Sequence, residues 1–157
     1  SRIAVYIGKL LYLIVLAVFA TILCVFLFDV LYPVMPFSFY IKPLIILILA
    51  GIPIYLISIF VGFSLGKSVA MGLGIVGSLL SALLVTGLGD FIWKFLPWGW
   101  GVRFMDYCVL QCVNERQFYS TFHEFQLGFI FMLIFTVVLF IISLMWFQRW
   151  EGGKENE

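Results

Sequence analysis

Four apolar stretches without a single Asp, Glu, Lys or Arg run through this chain: Leu10–Phe28, Pro43–Gly66, Ser68–Gly89 and Phe125–Gln148. An α-helix rises about 1.5 Å per residue, so about 20 residues cross a hydrocarbon core of about 30 Å. Inside that core the backbone finds no water and must satisfy its own hydrogen bonds, which here means helices. The expected fold is therefore an all-α polytopic membrane protein, residues 1–157 forming one transmembrane domain with four transmembrane helices. Charged residues make up 11% of the chain, against about 25% in an ordinary soluble domain. That composition and a mean hydropathy of +1.19 exclude a soluble globular fold. No basic run points to nucleic acid, and the partner implied throughout is the lipid bilayer. The chain opens on Ser1 and has no short apolar leader with a cleavage site, so we read it as N-terminally incomplete.

Pro43 to Gly89 contains one charge, Lys67, and as a single helix would extend about 70 Å. It has to fold back, and Ser64-Leu65-Gly66-Lys67-Ser68 is the natural turn, with Lys67 at the tip of a helical hairpin. Pro33, Pro36 and Pro43 break the first connection, and Pro53 is expected to kink the second span and free a carbonyl. Four crossings leave both termini on one side. Lys67 in a very short turn, with Arg2 and Lys9 before the first span, places that side in the cytoplasm.

The outer loop, residues 90–124, holds seven of the seventeen charged residues and the only histidine. Trp93, Trp98 and Trp100 cluster at its start, where indoles suit the headgroup region. Val102, Met105, Val109, Cys112 and Val113 then recur at helical spacing, opposite Arg103, Asp106, Gln111 and Asn114. The pattern predicts an amphipathic helix lying in or dipping into the outer leaflet; the alternative is a surface loop pinned by aromatics. Trp146 and Trp150 mark the opposite interface.

Small residues fall on every fourth position from the second span into the third: Ser58, Gly62, Gly66, Ala70, Gly74, Ser78, Ala82 and Thr86. Lipid tails are as apolar as leucine, so helices associate by close packing, and small side chains let backbones approach. We therefore take Gly62, Gly66, Ala70, Gly74, Gly77, Ser78 and Ala82 as helix-packing candidates, within this chain or against a second copy. The competing reading is that membrane helices are simply rich in small residues.

Several motifs mislead. Gly72-Leu-Gly74-Ile-Val-Gly77 spells a dinucleotide fingerprint but has no preceding strand and no acid about 20 residues on. His123-Glu124 has no second histidine at zinc-protease spacing. Gly66-Lys67-Ser68 lacks the upstream glycine of a phosphate-binding loop. Cys108 and Cys112, four apart, are awkward disulfide partners on a regular helix and become possible ones only if that segment is irregular. No catalytic, cofactor-binding or metal-binding residue is expected. Charge-free spans also argue against a carrier coupled to protons or ions at mid-membrane. Asp90, Lys94, Arg103 and Asp106 remain, either as contacts for cargo at an outer mouth or as solvated rim charges.

One resemblance covers residues 62–104. The text Gly66-Lys-Ser-Val-Ala-Met-Gly-Leu-Gly74-Ile-Val-Gly77-Ser78, then Thr86-Gly87-Leu-Gly89-Asp90, Ile92-Trp93 and Leu96-Pro97-Trp98-Gly-Trp100-Gly-Val-Arg103, resembles the permease subunits of lantibiotic immunity ABC transporters, a branch of the ABC-2 type permeases. What the resemblance implies is the C-terminal part of a six-span permease, the four spans here being its third to sixth, with re-entrant or interfacial helices in the last outer loop. It further implies a bacterial plasma-membrane exporter of antimicrobial lanthionine peptides. A separate cytoplasmic ATPase would bind the ATP, and a second permease subunit, identical or paralogous, would complete the channel. Asp90, Trp93, Trp98, Trp100 and Arg103 become the outer-mouth candidates, and the cargo is an amphiphilic peptide. Two alternatives stand beside this reading: an ABC-2 permease for another drug, lipid or bacteriocin, and a non-transporting membrane scaffold. An intramembrane enzyme is the least favoured, because no span holds an acid, a base or a metal ligand.

Overall fold

The computed structural model describes residues 2–31 and 37–149, and among these the chain is helical with no strand. Five α-helices follow in order: α1 (Arg2–Leu31), α2 (Ile41–Ser64), α3 (Lys67–Leu84), α4 (Pro97–Val113) and α5 (Glu115–Arg149). Short 3-10 turns at Phe37–Tyr40, Gly87–Gly89 and Trp93–Phe95 join them. Four segments, Ile3–Leu31, Phe37–Ser64, Lys67–Leu84 and Glu115–Arg149, are long and apolar enough to cross a membrane. Their outward faces expose Leu, Ile, Val and Phe in quantity, as at Phe19, Leu79 and Ile134, a surface stable against lipid rather than water. Pro33 and Pro36 lie outside the described residues, as do Trp150 and the tail beyond it.

Helix α2 is the hub, packing against α1, α3, α4 and α5. It runs unbroken through Pro43 in its first turn and Pro53 in its interior, where Pro53 is buried. The α2–α3 turn falls where the sequence places it. Leu65 closes α2 by donating to the Val61 carbonyl (2.8 Å), and Gly66 turns the chain at φ 98°, a backbone geometry that favours glycine.

Helix α1 begins at Arg2, eight residues before its apolar span, and two further boundaries differ from the sequence reading. Helix α3 stops at Leu84 rather than Gly89, because Gly87-Leu88-Gly89 winds into a 3-10 turn and the freed carbonyls find a side-chain partner in α4. Helix α5 starts at Glu115, ten residues before the apolar span. Asn114, in extended backbone between the two helices, accepts the Gln117 N–H (3.2 Å) and caps it. At about 52 Å, α5 exceeds the hydrocarbon thickness, and its polar first turns, Glu115 to Glu124, take up the excess. Residues 90–124 are thus mostly helix.

Two buried clusters hold the bundle. Tyr6, Leu10, Leu56, Ile59 and Phe147 join α1, α2 and α5 at the end bearing the α2–α3 turn. Ile46, Ala50, Leu84, Trp93, Trp100, Phe104, Cys108 and Met132 join α2, α3, α4 and α5 towards the other end. Aromatic edges dominate the second cluster: Phe104 meets Phe125 and Phe129 at 5.5 and 5.8 Å, and Trp100 meets Phe135 at 5.4 Å. Each such pair contributes about 0.5–1.5 kcal/mol beyond simple burial.

Candidate functional site

Pro97 begins α4, a position where its missing N–H costs nothing. The helix does not lie across the bundle end. It starts beside the middle of α3, with Trp98 against Gly77 and Ser81, and climbs to Gln111, which accepts a hydrogen bond from Lys42 at the start of α2 (2.6 Å). Its core-facing stripe is Trp100, Phe104 and Cys108, all buried. The stripe read from spacing is a different set of residues. Val113 points outwards at 80% exposure, Val109 is 60% exposed at the edge of a groove, and Val102 and Met105 line that groove, Met105 also packing against the buried cluster. Both faces of α4 are apolar because one meets protein and the other meets lipid or the groove, so hydropathy alone cannot rank them.

Polar side chains fix α4 against α3. Ser81 Oγ donates to the Trp98 carbonyl (2.8 Å). Arg103 Nε donates to the Leu84 carbonyl (2.6 Å), and its Nη2 donates to the Thr86 carbonyl (2.8 Å) and pairs with Asp90. The guanidinium thereby caps the C-terminus of α3, where the helix dipole favours a cation. Asp90 and Arg103 are therefore partners of each other, and Lys94 pairs with Glu124 of α5. The Trp100 indole is buried and donates to the Lys94 carbonyl (2.9 Å), while Trp93 is buried with its ring against Gly128. Of the outer-mouth candidates, only Trp98 lines that groove, while Asp90 stays about half exposed beside Arg103.

The groove is lateral, with a volume of about 590 Å³. Helix α2 supplies its floor through Leu47, Ala50, Gly51 and Tyr55; Ala17 and Thr21 of α1 form one wall; Ser81, Val85, Trp98, Met105 and Asp106 of α3 and α4 form the other. Asp106 is its single carboxylate and makes no ion pair or hydrogen bond among the described residues. It lies about 8 Å along α4 below Gln111 and the Lys42 end. The sequence grouped Asp106 with three rim charges. The structure separates it, since the other three are engaged in ion pairs.

The small-residue candidates scatter. Gly62 faces Ala70 across the hairpin, where a methyl group on Gly62 would stand 3.8 Å from the Ala70 Cβ. Gly66 serves the turn. Gly77 is buried and receives Trp98, whereas nothing lies within 4 Å of a methyl group on Gly74, and Ser78 and Ala82 are exposed. Gly128, in contact with Trp93, escaped the sequence reading; its signal was a lone glycine within an otherwise bulky span.

Comparison with models of known families, with curated proteins and with solved structures finds no match to this chain. Among the described residues no three His, Cys, Asp or Glu side chains gather in a group able to hold a metal ion. Cys108 and Cys112 are free thiols on a regular helix, the Cys112 thiol donating to the Cys108 carbonyl (3.0 Å).

Proposed function

We propose that this chain is the membrane-spanning permease subunit of an ABC-2 type exporter that expels antimicrobial lanthionine peptides from the bacterial plasma membrane. The observation behind this reading is the lateral groove: apolar, open along one side of α2, and furnished with one unpaired carboxylate, Asp106. An amphiphilic peptide already dissolved in the bilayer could slide its apolar part into such a groove without crossing water. Asp106, exposed at the groove, would take a cationic side chain of the cargo by a charge-assisted pairing. The segment whose text resembles the lantibiotic immunity permeases, residues 62–104, supplies part of one wall through Ser81, Val85, Trp98, Gly101 and Val102.

Work would come from a separate cytoplasmic ATPase that binds ATP and shifts the packing of α1 against α3 and α4. Helix α4 would be the re-entrant helix of the outer face, its own Arg103 holding it to the end of α3. The outward row of Gly74, Ser78 and Ala82 on α3 would meet a second permease subunit by close approach. That row also favours one second reading, a scaffold whose helices serve assembly alone.

Co-purification separates the two. The exporter reading expects a stoichiometric ATPase partner whose ATP turnover rises when a cationic lanthionine peptide is added to proteoliposomes. A complex without an ATPase would leave the scaffold standing, and turnover stimulated only by an uncharged amphiphile would move the cargo to another chemical class.

A further inference from the structure

At the end of the bundle that bears the α2–α3 turn, a second groove of about 410 Å³ is lined by Lys9, Tyr12 and Leu13 of α1, Ile59, Gly62 and Phe63 of α2, and Lys67 of α3. Two cations 58 positions apart in sequence thus border one apolar cleft. Lys9 Nζ sits 4.2 Å from the centre of the Phe63 ring, which keeps the ammonium at the mouth instead of letting it swing free into water. Among the described residues no carboxylate lines the groove. The nearest part of the bundle offers none either, because every acid among the described residues (Asp29, Asp90, Asp106, Glu115 and Glu124) belongs to the opposite end or to the segments joined to it. There, acids accompany the cations, as in Arg103–Asp90 and Lys94–Glu124. Lys9 and Lys67 make no ion pair among the described residues.

We infer that this groove is a binding site for one anionic phospholipid, its phosphate held between Lys9 and Lys67 and an acyl chain laid along Leu13, Ile59 and Phe63. Both halves of the ligand are matched in the order a bilayer presents them: cations at the bundle end, apolar side chains one to two turns deeper. Phe60 and Trp146 meet edge to face nearby, ring centres 4.7 Å apart, and an indole at this end of the bundle suits the headgroup boundary. A soluble anion would gain nothing from the apolar floor. A zwitterionic lipid would bring its own cation up to two lysines. A lipid seated here bridges α1 to the tip of the α2–α3 hairpin. The inference does not depend on what the chain transports.

The test is native mass spectrometry of the purified protein released from mixed micelles of dioleoylphosphatidylglycerol and dioleoylphosphatidylcholine. The expected result is one phosphatidylglycerol retained per chain in preference to phosphatidylcholine. The preference should fall about fivefold for Lys9→Gln or Lys67→Gln and about 25-fold for the double variant, as two cations near an anionic headgroup require. Lys42→Gln, at the opposite end, should leave it unchanged. Thermal melting in phosphatidylcholine alone shows whether each variant folds. If a charge variant misfolds, an Ile59→Val and Leu13→Val pair, which shortens the apolar floor and keeps both lysines, should weaken retention instead. Equal retention of the two lipids by the wild type would overturn the site. So would undiminished preference in the folded double variant, or displacement of the lipid by millimolar glycerophosphate, which has the headgroup chemistry without the chains.

Discussion

The Trp98 indole fills the space that any side chain at Gly77 would need: a methyl group placed there would run into the Nε1 edge of the ring. One glycine on α3 and one tryptophan at the start of α4 thus set how deeply α4 enters the bundle, and with it the far wall of the lateral groove. Gly77→Ala should push Trp98 out and destabilise the fold by about 1–3 kcal/mol, the usual range for overpacking. Gly74→Ala, three residues away in open space, should shift it by less than about 0.5 kcal/mol. Melting in detergent, followed by tryptophan fluorescence, distinguishes them. Adding Trp98→Ala to Gly77→Ala should recover part of the loss, since the two changes share one cavity.

Arg103 bridges α4 to the end of α3 through two backbone carbonyls and Asp90. The carbonyls have few other partners in lipid, while Asp90 is 55% exposed and can turn to water. The expected order of damage follows from that difference. Arg103→Gln should cost about 2–3 kcal/mol and Arg103→Lys somewhat less, because an ammonium cannot reproduce the forked geometry. Asp90→Asn should cost no more than about 1 kcal/mol. A denaturant titration in mixed micelles reads all three, and equal losses at Arg103 and Asp90 would show that the ion pair, not the carbonyl capping, joins the helices.

Tyr6 and Ser143 tie the first helix to the last. Tyr6 Oη donates to Ser143 Oγ at 2.7 Å, and Ser143 donates to the Phe140 carbonyl at 2.9 Å, with both side chains buried. Hydrogen bonds between membrane helices contribute about 0.6 kcal/mol on average. Tyr6→Phe should therefore lower stability by about that amount, and Ser143→Ala by a similar amount. The double variant should lose less than the sum, which a double-mutant cycle measures.

Asp106 tests the transport reading directly. Asp106→Asn keeps the shape of the groove and removes its charge. Export of a cationic peptide from proteoliposomes containing the ATPase partner should fall about tenfold, the equivalent of one charge-assisted hydrogen bond. Asp106→Glu should retain most of it. Unchanged export in a folded Asp106→Asn variant would remove the carboxylate from cargo recognition.

The three cysteines report on the same geometry. Cys24 is exposed on α1, Cys112 is half-buried and Cys108 is buried. A small membrane-permeant thiol reagent should modify Cys24 and Cys112 and leave Cys108 intact until the protein unfolds, with no Cys108–Cys112 bridge in non-reducing mass spectra.

Much of this architecture was written in the order of residues. Four runs free of charge require four long helices, because a backbone in lipid has no other way to satisfy itself. Gly66 beside Lys67 in an otherwise uncharged stretch places the hairpin turn, since only a glycine takes the φ found there without strain. The helix at Pro97–Val113 was legible as well, but its orientation was not. Val102 and Val109 are as apolar as Trp100, Phe104 and Cys108, and only packing shows that the second set is buried in the core. The packing row was legible as a row and not as contacts: Gly62 meets Ala70 and Gly74 faces open space, while Gly77, off the row, receives Trp98.

What the sequence determined by itself was therefore how many long helices there are, where the hairpin turns, and that the charges gather outside the spans. Tertiary structure alone decided which cations have partners, which apolar faces are interior, and that Asp106 looks into a groove formed with residues more than fifty positions away. The reason is physical. A lipid-facing surface and a protein core are equally apolar, so hydropathy marks both alike, and only shape complementarity between distant segments tells them apart.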